Sequence, residues 1–276
     1  MSDILTVALC QFNVIPGNIS GNLQHVQALA KKAADIGAQL IVFPEVALSD
    51  YYLDDFSSMA AAIPGEQSDI ISQLAKTINS HIAIGLVELD NGKLYNTAIL
   101  VSPAGEIVGK YRKTHLSVDT RGGTIKAETE EFGAGEELPV FETELGTIAM
   151  MICKDGDYPE VARVLAVKGA EIILWLTNRA GVNTGASVHY AHSNCSAVIT
   201  SNRSKGHALG GGSIIVDCSG KKLVEANEDA SILHAGIDMD NLREKRKIHW
   251  EETRVRRAEL YGTLGRLGLP VADRFS

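Results

Sequence analysis

Residues 146–160 read GTIAMMICKDGDYPE, and this stretch indicates the fold class. The apolar run that ends at Cys153 is typical of a buried strand. Gly156 allows a tight turn after it, and Pro159 suits the first turn of a helix. A thiol near the amino end of a helix is favoured as a thiolate. On this stretch alone, Cys153 is equally well a nucleophile or a small apolar residue that closes a core strand.

Short apolar runs alternate with longer helical patterns on both sides of this stretch. The spacing predicts helices at residues 22–36, 68–79, 159–168 and 186–196. It predicts strands at residues 4–10, 39–43, 81–88, 94–101, just after 105, 147–153, 171–176, 197–201, 212–217 and 222–225. Residues 117–138 lack clear periodicity, which indicates a functional loop or an unrecognised element. No linker or repeat divides the chain, so we expect residues 1–276 to form one α/β domain.

The charge balance argues against several classes of partner. The chain has 276 residues and a formal net charge of −8 at pH 7. A nucleic-acid or anionic membrane partner requires a basic face, so we expect neither. No apolar stretch is long enough to span a bilayer, and the amino terminus lacks the regions of a secretory signal. We therefore expect a cytoplasmic protein.

The cysteines and the carboxyl-terminal segment add two further expectations. Four cysteines, at positions 10, 153, 195 and 218, lie far apart without a CxxC pair, so we expect reduced thiols, no metal and no cofactor. Residues 242–261 contain seven basic and four acidic residues, which favours a solvated helix or a subunit-packing arm over a nucleic-acid patch. We predict the subunit-packing role for residues 242–276.

A nucleophilic cysteine needs a proton acceptor and a group that stabilises an oxyanion. Glu45 ends an apolar strand in Phe-Pro-Glu, and Lys113 ends another in Tyr-Arg-Lys-Thr-His-Leu. Both side chains would emerge at strand ends, where α/β folds collect their sites. Taken singly, each residue is more typical of an exposed charge at the end of a strand.

Taken together, these segments resemble the nitrilase (carbon–nitrogen hydrolase) superfamily. The likeness covers nearly the whole chain and is carried, in the family's order, by residues 7–12, 43–45 (FPE), 105–116 (GEIVGKYRKTHL), 152–155 (ICKD), 158–160 (YPE) and 257–261. The resemblance implies an α-β-β-α sandwich that usually pairs through its helical face into a four-layer dimer. It therefore also implies a homodimer or a higher homo-oligomer.

The resemblance assigns catalytic roles. Cys153 would attack a carbonyl carbon, with Glu45 taking its proton and later activating water. Lys113 and a backbone N–H near Lys154 would stabilise the oxyanion. A second family glutamate lies seven residues before a glycine, which corresponds here to Glu128 and Gly135, and it would orient Lys113 and the substrate amide. The rivals for this position are Glu130 and Glu131, and all three acids could instead be solvated loop residues.

The residues after the cysteine bear on the reaction. True nitrilases carry Trp-Glu there, whereas this chain has Lys154 followed by Asp-Gly-Asp-Tyr-Pro-Glu, which is similar to amidases. The resemblance thus implies hydrolysis of a small linear amide, through a cysteine thioester, to a carboxylate and ammonia. N-carbamoyl hydrolysis is the second possibility. Nitrile hydrolysis, or a catalytically silent binding protein of the same fold, is more distant.

The substrate pocket is predicted to include Tyr51, Lys154, Asn178 and Arg179. Tyr51 follows the first glutamate, with Asp50 in place of the family's usual glycine. Asn178 and Arg179 lie in a loop after a predicted strand. Arg179 could pair with a substrate carboxylate, which would favour a carbamoyl amino acid or an ω-amide. It could equally be an outward salt-bridge partner.

Overall fold

The computed structural model describes residues 3–53, 55–120, 126–182, 184–206, 208–253 and 256–265. In chain order the strands are β1 (Ile4–Gln11), β2 (Leu40–Val42), β3 (His81–Asp90), β4 (Lys93–Val101), β5 (Ile107–Arg112), β6 (Val140–Thr143), β7 (Gly146–Ile152), β8 (Ile172–Leu176), β9 (Ala197–Ser201), β10 (Ile214–Val216), β11 (Lys222–Glu225) and β12 (Ser231–Asp238). The α-helices are α1 (Ile19–Asp35), α2 (Glu66–Ile78), α3 (Glu128–Glu131), α4 (Pro159–Val167), α5 (Thr184–Asn194) and α6 (Met239–Thr253).

The strands form two six-stranded sheets with the same plan. The first has the order β12-β1-β2-β3-β4-β5 and the second β11-β10-β9-β8-β7-β6. In each sheet three central neighbours are parallel, β1-β2-β3 and β7-β8-β9, and antiparallel strands flank them. Parallel strands end at the same edge of a sheet, so the chain that leaves β2, and the chain that leaves β7 and β8, emerge at common edges.

Strand β1 shows why apolar residues run continuously through the central strands. Val7 and Leu9 pack into the layer between the two sheets, while the alternate residues Ala8 and Cys10 pack against helices. Successive side chains point to opposite faces of a strand, so a strand covered on both faces must be apolar at every position. This burial accounts for the apolar runs that predicted the strands.

Helices cover the outer face of each sheet. Val26 of α1 and Leu74 of α2 pack on the first sheet, and Leu165 of α4 and Ala191 of α5 pack on the second. The four layers form an α-β-β-α sandwich, which confirms the predicted fold class. No helix in the described ranges is both long and apolar enough to cross a membrane.

Several elements differ from the prediction. Strands β6 and β12 have no predicted counterpart, because they are only partly buried and lack a continuous apolar run. β12 pairs with β1 along its whole length, with Ile4 opposite Asp238. The loop of residues 117–138 contains the single helical turn α3, and residues 121–125 lie outside the described part of the chain. The predicted tail begins inside the helix α6, and its residues 254–255 and 266–276 also lie outside the described part.

Candidate active site

The strand β7 ends one residue earlier than predicted, at Ile152, and Cys153 begins a short 3-10 turn. The backbone of Cys153 has a φ of 42°, in the left-handed region that ordinary residues avoid. A Cβ on Gly156 would lie 2.1 Å from the Trp175 ring, so only glycine fits this turn. The indole of Trp175 donates a hydrogen bond to the Cys153 carbonyl at 3.1 Å. These contacts present the half-buried thiol to a cavity of about 520 Å³.

The carboxylate of Asp155 joins this turn to the chain that follows β5. It accepts hydrogen bonds from the backbone N–H of Ile152 at 2.8 Å and from the Tyr111 hydroxyl at 2.7 Å. Thr114 Oγ1 and the His115 backbone N–H donate to it at 3.0 and 2.9 Å. Burial opposes ionisation of Asp155, but the hydrogen bonds from His115 and Tyr111 outweigh it and lower its pKa. These hydrogen bonds, which we call the Asp155 clamp, therefore fix the turn against the segment that carries Lys113.

The ammonium of Lys113 bridges two buried glutamates. Its Nζ lies 2.8 Å from Glu45 Oε1, and 2.9 and 2.7 Å from the two oxygens of Glu128. Burial by itself would lower the pKa of a lysine, but the negative charges of the Glu45 and Glu128 carboxylates raise that of Lys113 above its ordinary value. Lys113 therefore stays protonated although its side chain is buried.

Tyr51 and Asn96 complete this network. The Tyr51 hydroxyl lies 2.8 Å from Glu45 Oε1 and is hydrogen-bonded to Glu128 as well. Asn96 Nδ2 donates to Glu45 Oε1 at 2.8 Å and to Glu128 Oε1 at 3.0 Å. Burial and the two carboxylates raise the pKa of Tyr51, so its hydroxyl stays protonated. Sequence reasoning did not identify Asn96, although a polar residue inside the apolar pattern of β4 was a usable signal.

The position of Glu45 depends on a close backbone approach. A Cβ on Gly85 of β3 would lie 2.6 Å from the Glu45 Cα, so the glycine lets the chain after β2 rest on the neighbouring strand. While Oε1 of Glu45 takes part in the network, its Oε2 is buried and has no hydrogen-bond partner within the described ranges. That oxygen is therefore the one that can accept a proton.

The charges around Cys153 keep the resting thiol neutral. Burial and the carboxylate of Glu45 raise its pKa to about 11, while the cations Lys113 and Arg179 act in the opposite direction. A thiol of this pKa is protonated at neutral pH, and its attack on a substrate requires a base. Glu45 is the neighbouring group that can serve as that base.

A second set of charges lies at the rim of the cavity. Arg179 Nε donates to Cys153 Sγ at 3.4 Å, and its guanidinium also donates to the Cys153 carbonyl at 3.0 Å and to Asp157 at 2.7 Å. Lys154 Nζ lies 2.8 Å from the other oxygen of Asp157. Arg179 is thus directed into the cavity rather than outward. Asp157 was not identified from the sequence, since its role depends on how two loops meet.

Asp50 stands where the family has glycine, and the structure shows how the turn accommodates it. Its φ of 62° is left-handed, a conformation that aspartate tolerates better than most residues. The buried carboxylate accepts a hydrogen bond from Asn178 Nδ2 at 3.1 Å and lies 3.6 Å from the guanidinium of Arg203. Asp50 therefore ties the loop before Tyr51 to the loop that carries Asn178.

The structure brings the predicted site residues to one place. The cavity is lined by seven of them, Tyr51, Lys113, Glu128, Cys153, Lys154, Asn178 and Arg179, and Glu45 lies beside it through its bond to Lys113. The rivals of Glu128 do not share this position, because Glu130 is exposed and Glu131 pairs with Lys126. In the described part of the chain, no three metal-ligating side chains are grouped as a metal ion would require.

Comparison with known proteins agrees with this geometry. The family model of the carbon–nitrogen hydrolases matches residues 6–247. The chain belongs to the carbon–nitrogen hydrolase family. The resemblance drawn from the sequence motifs is thus confirmed, and the chain is a hydrolase of carbon–nitrogen bonds.

Individual members of the carbon–nitrogen hydrolase family extend the comparison. An omega-amidase NIT2-A from Xenopus laevis is 32% identical over 268 residues, which cover 92% of this chain and 96% of that protein. The crystal structure of Saccharomyces cerevisiae Nit3 superposes with a TM-score of 0.80 at 26% identity, covering 93% of this chain and 98% of Nit3. The crystal structure of a carbon–nitrogen hydrolase from Helicobacter pylori G27 superposes with a TM-score of 0.85 at 24% identity. The match covers 96% of this chain and 99% of that protein.

Proposed function

We propose that this chain hydrolyses the terminal amide of a small linear substrate, through a thioester on Cys153, to a carboxylate and ammonia. One observation carries the proposal: the Lys113 ammonium bridges Glu45 and Glu128 on the wall of the cavity that holds Cys153. A base, a cation and a nucleophile in one cavity are the groups that acyl transfer requires.

Acylation begins with a proton transfer. As Cys153 Sγ forms a bond to the amide carbon, its proton passes to Glu45, whose Oε2 has no other partner in the described chain. The negative charge that develops on the amide oxygen is stabilised by the ammonium of Lys113. Glu45 then gives the proton to the amide nitrogen, the carbon–nitrogen bond breaks, and ammonia leaves a thioester on Cys153.

Deacylation uses the same groups in reverse. Glu45 removes a proton from water as its oxygen adds to the thioester carbon, and Lys113 again faces the oxyanion. The intermediate expels the sulfur, which takes from Glu45 the proton that came from water, and the carboxylic acid product ionises and leaves as the carboxylate. Glu128 holds Lys113 through both of its oxygens, so the ammonium stays in place in both half-reactions.

The substrate proposed is an ω-amide, with the amide at one end and a carboxylate at the other. Two guanidinium groups, of Arg179 and Arg203, line the cavity, and such groups recognise carboxylates. Arg179 touches the sulfur, so a carboxylate bound there would lie at the reacting carbon. Arg203 is therefore the proposed partner of the distal carboxylate. The name omega-amidase of the Xenopus laevis relative agrees with this substrate class.

A substrate panel tests the proposal. We expect ammonia release from linear ω-amides to be fastest, slower release from uncharged linear amides, and little turnover of N-carbamoyl amino acids or nitriles. The Cys153→Ala variant should retain the melting temperature of the wild type and release no ammonia. Turnover by Cys153→Ala at the wild-type rate would contradict the mechanism. If N-carbamoyl amino acids are turned over faster than ω-amides, the proposed substrate class is wrong, and the proposed mechanism still applies.

We also propose that the protein is a homodimer that pairs through its helical face. A groove of about 1040 Å³ lies between α4, α5 and the carboxyl-terminal segment, and it is lined by Val164, Val167 and Leu264 among others. These three apolar side chains are exposed in the single chain. A second copy of the same helical face would remove them from water.

A further inference from the structure

Arg179 contacts the reacting sulfur directly. Its Nε lies 3.4 Å from Cys153 Sγ, and the same guanidinium donates to the carbonyl of Cys153 at 3.0 Å. Two N–H groups of the planar Arg179 guanidinium thus donate to Cys153. This contact goes beyond the roles of Glu45, Lys113 and Glu128 in the proposed mechanism.

The guanidinium is held in this position from two sides. Asp157 accepts a hydrogen bond from it at 2.7 Å, and Asp157 is itself paired with Lys154 at 2.8 Å. The ring of Trp175 lies 5.7 Å from the centre of the guanidinium, within the range of a cation–π contact. A donor that is fixed before the reaction can stabilise a developing charge without reorganising.

The charged groups around the sulfur fall into two clusters. Glu45, Lys113 and Glu128 contact one another and together carry one net negative charge. Lys154, Asp157 and Arg179 form the second cluster, which carries one net positive charge. Transfer of the Cys153 proton to Glu45 neutralises the first cluster and leaves a negative sulfur. The second cluster then supplies the compensating charge.

We infer that Arg179 is a further catalytic residue, which stabilises the thiolate of Cys153 as it forms and as it leaves. Asp157 is a positioning residue, because it acts on the sulfur only through Arg179. The inference rests on the proposed function in taking Cys153 as the nucleophile. Burial raises the pKa of Cys153, whereas the charge of Arg179 lowers it, which is the direction that this role requires.

The ionisation of Cys153 can be followed without a substrate. The rate at which iodoacetamide alkylates Cys153 is measured against pH by peptide mass spectrometry, which separates this thiol from the three buried cysteines. Groups that face Cys153 and titrate or carry charge are Glu45, Tyr51, Lys113, Glu128 and Arg179. All but Arg179 are left unchanged in the variants, so a shift of the profile reports on Arg179.

We expect Arg179→Gln to move the midpoint of alkylation upward by about one pH unit, which slows alkylation about tenfold at a pH below the midpoint. Arg179→Lys keeps the positive charge but loses the planar guanidinium and its second donor, so its midpoint should shift by less. The matched control is Arg243→Gln, since Arg243 pairs with Glu171 and Asp3 and does not line the cavity. A wild-type profile in folded Arg179→Gln would overturn the inference. If Arg179→Gln does not fold, a wild-type profile in Arg179→Met, which also removes the charge, would do so.

Turnover separates this role from carboxylate binding. With an uncharged linear amide, Arg179→Gln should lower kcat about tenfold and leave KM nearly unchanged. A higher KM for ω-amides alone, with an unchanged alkylation profile, would make Arg179 a carboxylate receptor and overturn the inference. If the wild type hydrolyses no member of the substrate panel, the proposed function fails, whereas the alkylation profiles still decide the role of Arg179.

Discussion

Both carboxylate oxygens of Glu128 contact the ammonium of Lys113, at 2.9 and 2.7 Å. Glu128 comes from a single turn of helix in a loop without sequence periodicity, whereas Lys113 follows a strand of the first sheet. The contact explains how one lysine can stay charged in a buried position: two carboxylates surround it. It also distinguishes Glu128 from its acidic neighbours.

Replacement of Glu128 by Gln should lower kcat by roughly 100-fold, because removing one partner of a buried ion pair costs about 3–5 kcal/mol and releases Lys113 from its position. Part of that cost should appear as a lower melting temperature. Glu130→Gln is the matched control, since Glu130 is exposed in the same helical turn. Ammonia release by both variants is the measurement, and equal activities would contradict the role of Glu128.

Asp155 should prove essential for the geometry of the turn. Asp155→Asn places an amide among N–H and O–H donors, and we expect it to lower the free energy of unfolding by about 3 kcal/mol. Asp217 provides the control, because its carboxylate likewise accepts several hydrogen bonds, three in all, but in a surface turn. Asp217→Asn should cost about 1 kcal/mol. Urea unfolding of both variants measures the difference, and similar losses would refute the Asp155 clamp.

Stability should depend on pH through Glu88. Burial opposes its ionisation, but hydrogen bonds from Arg112, Lys110 and Thr97 lower its pKa to about 2 from an ordinary value of 4.5. A depressed pKa contributes stability above the unfolded value, and that contribution is lost as the pH falls toward the folded value. The stability difference between wild type and Glu88→Gln should therefore shrink between about pH 5 and pH 2. A constant difference across this range in urea titrations would contradict the assignment.

The helical face should control the oligomeric state. Val167→Arg places a charge in the groove beside α4 and should convert a dimer into a monomer in light scattering. Ile15→Arg is a matched control, because Ile15 and Val167 are both 49% exposed and Ile15 lies in the loop after β1. A dimer that survives Val167→Arg, or a wild type that is monomeric, would count against this surface.

The sequence predicts the central part of the fold well because both faces of the central strands are buried. Val7 to Cys10 of β1 are apolar at every position, so the strand is visible without its neighbours. The edge strand β12 is different, since its residues are half exposed and its partner β1 lies more than two hundred positions earlier. Its place depends on a long-range pairing that local patterns do not contain.

The residues of the candidate site likewise include some that the sequence predicts and some that it does not. Glu45, Lys113 and Cys153 follow strands that are predictable, so their convergence follows from the topology. Asn96 and Asp157 act through side-chain contacts between distant segments, and nothing in their local sequence indicates the partners. The sequence does not decide whether the Arg179 side chain points into the cavity or outward. Its direction follows from the contact between its loop and the turn at Cys153.

A single-turnover experiment tests the central claim most directly. The wild-type protein is mixed with a smaller molar amount of a linear amide, quenched in acid at successive times, and its intact mass is measured. We predict a mass increase equal to the acyl group, located on Cys153 by peptide mapping and lost as the carboxylate accumulates. Ammonia release at full rate with no acyl group on Cys153 at any time, and undiminished in Cys153→Ala, would contradict the account.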